Sequence, residues 1–364
     1  MKSHFQISIL AYMTLVCGNL QGAAPAAEEI EKFSRNRPEL DEITWKDPAR
    51  GAPLAVRIIQ SSGQAVVVEK TLATGLTIRN IPMADLAGVS FKLTPPEVSL
   101  HREPKITSIP WLRVLWERRQ ATLRLTGSNV GETGLILAKS LRLSGEKESL
   151  QEALKILSQI RSQDLVKPRI ERAQAEQLTL QFIIAQKSGD MLETDRLAWE
   201  ITEGTENQDG MILATAFLGD RHFANLKATE EEHPRWMDDD EVLPLRQRLY
   251  QLSLDFFLYP SLFLGTRETE ASLGLKRASE VHQFTGSNAL LKATLEDLAA
   301  LYPETEAAKE TAPLLTRLRD REAAGKLAET LTSPEEEEAT EEGSVENART
   351  EPPPSPKRYN IFVD

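Results

Sequence analysis

Residues Leu150–Ile160, LQEALKILSQI, decide the fold. Leu150, Ala153, Leu154, Leu157 and Ile160 fall on one face of a helix and leave glutamate, lysine and glutamine on the other. The same spacing returns at Leu178, Phe182 and Ala185, at Leu245, Leu249, Leu252 and Phe256, and at Leu291, Leu295, Leu298 and Tyr302. Turn chemistry separates these stripes: Thr126–Asn129, Ser144-Gly145, Ser188-Gly189-Asp190, Gly204, His233-Pro234, Gly265 and Thr285–Asn288. Helices of moderate length with short breaks predict a mainly α protein, in which stacked helical hairpins occupy residues 108–331.

Upstream, the period changes from helical to alternating. Leu54–Gln60, Ala65–Lys70 and Leu76–Pro82 are short β-branched runs joined by Ser61-Ser62-Gly63 and Thr74-Gly75, and Gly88–Phe91 suggests one more strand. These predict a small antiparallel barrel or curled sheet over residues 43–103. Pro95-Pro96 and Pro104–Pro110 mark the passage into the helices.

Two resemblances follow from these residues. Trp45, the strands about Gly63 and Gly75, and Ile81–Leu86 resemble the small Src-homology-3-like modules of bacterial envelope proteins. That likeness implies a packing domain or a peptide- or glycan-binding module. Ser188-Gly189-Asp190-Met191 with Thr194, Ala198 and Ile201 resembles a tetratricopeptide repeat. So do Leu291–Tyr302 with Pro303, Ala307, Ala308 and Ala312, and Ala153-Leu154 after Gly145. This likeness implies binding of a protein or peptide in a groove between inner helices. The turns at Gly145, Gly189 and Gly286 depart from a strict repeat of about 34 residues, so the array is degenerate.

The two ends read differently. Lys2 and His4, the apolar Phe5–Leu20 and the small residues Gly22, Ala23, Ala24, Ala26 and Ala27 predict a signal peptide over residues 1–26 and export to the periplasm or envelope, or secretion beyond it, with no stable membrane span after cleavage. Residues 27–42 read as a linker. A lipid anchor on Cys17 is the competing reading, although Leu15 and Val16 suit that motif poorly. Cys17 is the sole cysteine, so a cleaved chain holds no disulfide or thiolate ligand. Residues 332–364 predict a disordered tail: nine acidic and three basic residues in 335–364, a Pro352–Pro356 spacer, and the apolar end Tyr359–Asp364, which is either a docking strand or a frayed end.

Chemistry-bearing patterns are scarce in the 364 residues. A net charge of −12 and only 6% aromatic residues disfavour nucleic acid. No nucleophile elbow, phosphate loop, dinucleotide fingerprint or zinc helix occurs, and no cofactor or metal is implied. The densest polar cluster runs from Glu230 through His233, Pro234 and Trp236 to Glu241. It reads as a helix cap before Val242, with a metal-assisted hydrolase built on His233 and Asp238–Asp240 as the alternative. Asp255–Phe263 is core unless exposed, in which case it is a partner patch. Arg113, Arg118, Arg119 and Arg124 read as a solvated face, or else as a landing site for the acidic tail. The expectation is a non-catalytic scaffold or adaptor for a protein or peptide, with His233, Trp236, Phe257, Tyr259 and Phe263 as candidate contacts. A membrane-tethered structural component is the other alternative.

Overall fold

A computed structural model describes Glu29, Phe33 and residues 38–204 and 207–332, with side chains to residue 324. The segment expected to be a signal peptide, with Cys17, and the acidic tail with Tyr359–Asp364 lie outside the described residues. Five strands come first: β1 (Asp41–Trp45), β2 (Leu54–Ser61), β3 (Ala65–Leu72), β4 (Gly75–Pro82) and β5 (Leu86–Ser90). They form one antiparallel sheet in the order β4-β3-β2-β1-β5. The start of β2 pairs with β1 (Ile43 opposite Leu54, Asp41 opposite Val56) and from Arg57 to its end it pairs with β3 (Ser61 opposite Val66), with an irregularity in that second pairing between Ile58 and Gln60. Alternation works as the sequence implies, because Val56, Ile58, Val66, Val68 and Ile81 all point into the core.

β1 is not among the runs that read as strands in the sequence, and it begins two residues inside the expected linker, at Asp41 and Glu42. Its five residues, DEITW, carry two carboxylates, yet Asp41 is buried and accepts the Ile58 amide at 3.0 Å. The Pro95-Pro96 pair also has a different role from punctuation. It opens helix α1 (Pro95–Arg102), where a proline in the first turn loses no intrahelical bond. Glu97 closes that turn by accepting the Thr94 amide at 2.8 Å.

Ten more helices follow: α2 (Ile109–Arg119), α3 (Val130–Ser144), α4 (Lys147–Gln163), α5 (Lys167–Ser188), α6 (Met191–Gly204), α7 (Gln208–Glu232), α8 (Val242–Phe263), α9 (Glu268–Phe284), α10 (Asn288–Leu301) and α11 (Glu306–Thr332). α11 crosses the boundary at Ala312 between two compact units of the chain. From α2 to α10 each helix packs on its sequence neighbours, and α3, α5, α7 and α9 also pack in succession on one another. The array therefore has an odd-numbered row backed by even-numbered helices. One apolar core runs from Ile43 and Val56 of the sheet through Leu112 and Trp116 to Phe217 and Leu218.

The Arg113–Arg124 series does not form a solvated face. The Arg119 side chain is 3% exposed, pairs with buried Glu97 at 2.6 Å and lies over the Phe91 ring. Arg113 grips Glu152 of α4 with two bonds, and Arg124 donates to the Gly63 carbonyl. Guanidiniums here tie α2 and the loop after it to the sheet and to α1 and α4, work that helical periodicity cannot reveal.

α8 is wedged between α7 and α9, and two glycines make room for it. A methyl group added at Gly219 would lie 2.6 Å from the Phe257 ring, and one at Gly274 would strike the Phe257 carbonyl oxygen. Gly219→Ala and Gly274→Ala should each lower stability by about 1–3 kcal/mol, the usual cost of overpacking. Gly204→Ala, which meets nothing within 4 Å, should leave the thermal midpoint in place. Equal midpoints for all three variants would show that the wedge is not tight.

Candidate functional site

The five residues singled out by sequence separate into three places. His233 is exposed at the C-terminal end of α7, and Trp236 is half-buried beneath Arg246, whose guanidinium carbon is 4.0 Å from the ring centroid. Phe257 is buried in the core, at 3% exposure. Tyr259, partly buried against the core, meets Phe263 with ring centroids 4.9 Å apart, Phe263 being 69% exposed. The Asp255–Phe263 stretch is thus both core and surface, divided by helix face.

The acidic cluster before α8 has a structural role. Asp239 Oδ1 accepts the amides of Glu241 and Val242 at 3.0 and 3.1 Å, which caps α8. Among the described residues no three His, Cys, Asp or Glu side chains converge to hold a metal ion. Nor is any helix among them long and apolar enough to cross a membrane.

A concave feature lies elsewhere among the described residues, between α7, α8 and α9. It is a cleft of about 70 Å³, lined mainly by Leu213, Ala216, Phe256, Pro260 and Leu273, with Asp220, Glu270 and Arg277 as its charged groups. Its enclosed part is of the size of a single side chain. Phe257 is part of its floor, the one candidate contact that lines it.

A chain of ion pairs along the odd row leads to this cleft. Arg142 of α3 donates to Glu176 of α5 and to Asp209 of α7, both at 2.6 Å. Arg267, just before α9, bonds the other Asp209 oxygen at 2.5 Å and Glu270 at 2.7 Å. Burial alone would raise the Asp209 carboxyl, but Arg142 and Arg267 outweigh it and hold it below the usual carboxylate range. Asp220 is the opposite case. Desolvation raises its pKa, its nearest cation is Arg277 Nη2 at 3.7 Å, and Arg277 is itself bonded to Glu280 at 2.9 Å.

Behind the cleft wall, His222 of α7 stacks on Phe256 at 5.7 Å and meets Trp199 of α6 edge-on. Neither ring nitrogen has a hydrogen-bond partner. Burial, with Arg221 and Arg248 adding repulsion, lowers its pKa from 6.5 to about 4. Sequence reasoning passed over this histidine, and it passed over Asp220 and Arg277 as well. They sit one turn apart from ordinary core positions on helices whose neighbours only the fold supplies. No family model matches the chain, and neither does any curated protein or solved structure.

Two outcomes follow. Arg142→Met leaves Glu176, 1% exposed, and half of Asp209 without a cation, which should cost about 3–5 kcal/mol in a urea melt. For His222, the unfolded chain takes up a proton between pH 6.5 and about 4 while the folded chain does not, so stability falls as pH drops through that window. His222→Phe should flatten that part of the pH–stability curve. An unchanged slope would place the acid sensitivity at other groups.

Proposed function

We propose that this protein is an exported, non-catalytic scaffold or adaptor that binds a protein or peptide along the odd-numbered helical row, in the periplasm or envelope. The observation that carries the reading is the cleft between α7 and α9: apolar walls, a few charged groups and room for one side chain, on the row whose helices pack on one another. Apolar pockets of that kind seat anchor side chains at protein contacts. We read the hairpins as degenerate tetratricopeptide-like units, which the row packing supports. The sheet reads as a Src-homology-3-like module, which the sharing of β2 between two partners supports. The engagement of Asp239 as a cap argues against a hydrolytic role for the Asp238–Asp240 cluster.

The test is cross-linking mass spectrometry in the native host with Leu213→Arg, Leu273→Arg and, as a control on exposed α6, Leu192→Arg. Both cleft variants should lose a partner by about tenfold, equivalent to ~1.4 kcal/mol, with unchanged thermal midpoints. Leu192→Arg should retain it. Full retention by both cleft variants would rule out this row as the binding surface.

A further inference from the structure

The cleft has an unusual combination of walls and charge. Leu213, Ala216, Phe256 and Leu273 offer hydrocarbon on several sides, while the Asp220 carboxylate stands in the wall without a hydrogen bond among the described residues. The cation nearest to it, Arg277, is 3.7 Å away, beyond hydrogen-bonding reach, and is drawn toward Glu280. The other acid at the cleft, Glu270, is already bonded by Arg267. Asp220, whose side chain is 25% exposed, therefore retains acceptor capacity beside apolar walls, and an incoming cation would find an open acceptor there.

A long basic side chain matches that combination. Its methylene stem covers apolar surface while its charged head reaches a polar group. A carboxylate-bearing or purely aliphatic side chain matches only half of the site. Building on the peptide-binding reading above, we propose that the cleft takes one lysine or arginine side chain of a partner peptide, its stem along Leu213, Ala216 and Leu273 and its cation on Asp220. The structure thereby assigns Asp220 as the residue that selects for charge, and the apolar walls as the part that supplies contact area.

Selection of a random peptide display library on the full chain tests this, run in parallel on wild type and Asp220→Asn. Both proteins are first checked to be folded, with the Asp220→Asn midpoint no lower than that of wild type. The expected result is a shared lysine or arginine position enriched on wild type and not on Asp220→Asn. In a selected peptide, norleucine or glutamate at that position should weaken binding by about tenfold or more, the scale of a charge-assisted bond. Separate lysine and arginine versions of that peptide decide which head group the site prefers. Enrichment of apolar sequences alone, identical on both proteins, overturns the basic-side-chain inference and leaves the peptide-binding row intact. Enrichment of nothing on either protein counts against both. If Asp220→Asn fails to fold, Asp220→Ser with the same norleucine comparison takes its place.

Discussion

The wedge of α8 between α7 and α9 is the contact on which the rest of the C-terminal array depends. Phe257 presses its ring on Gly219 and its backbone carbonyl on Gly274, so two neighbours of the odd row are held by one residue of the helix behind them. Close backbone approach of this kind is available only where side chains are absent. It brings Phe256 and Pro260, one residue before and three after, to the line where α7 and α9 part. The cleft is thus a consequence of helix packing: the wedge supplies its floor, and the divergence of the flanking helices supplies its opening.

The odd row is held at its other end by charge. Arg142, Glu176, Asp209 and Arg267 form a continuous chain of close ion pairs across four segments distant in sequence. Buried ion pairs contribute little net stability compared with apolar packing, but each becomes costly to break once formed. Their effect is therefore one of register, since a one-turn slip of α7 against α5 would strand Asp209 or Glu176 without a cation. Asn207 reinforces this by donating to Glu176 at 3.0 Å and to Thr179 at 2.9 Å just before α7 begins. Apolar periodicity alone tolerates such slips, which is why a degenerate repeat needs polar fasteners.

Much of the architecture was legible in the residues. Every turn named from Gly, Ser, Asn and Pro chemistry in the helical region falls at a helix end, and Gly145, Gly189 and Gly286 take the left-handed conformation that favours glycine there. The Leu291, Leu295, Leu298 and Tyr302 stripe is buried throughout. The stripe proposed for α8 is displaced: Leu245 is half exposed, and the buried face runs through Leu249, Ser253, Phe257 and Pro260. That helix is apolar on most of its surface, so periodicity could not choose a face. The break between α4 and α5 has no glycine. It rests on Asp164, which accepts the Val166 amide at 2.9 Å and pairs with buried Arg169. The cleft itself was not legible, because its walls come from helices whose adjacency only the packing defines.

The contrast between Asp209 and Asp220 shows how the same side chain on one helix acquires two roles. Both lie on α7, eleven residues apart and so about three turns along the axis. Asp209 meets two guanidiniums at hydrogen-bonding distance and is stabilised as a carboxylate, which commits both oxygens to the fold. Asp220 pays the desolvation without that return, because Arg277 is shared with Glu280 and stays 3.7 Å away. A folded protein that needed Asp220 only for packing would do better with an asparagine or leucine at that position, since neither carries a buried charge. A carboxylate held only loosely by Arg277 at the rim of an apolar cleft is therefore a place where a cationic ligand would add a bond that the fold leaves open.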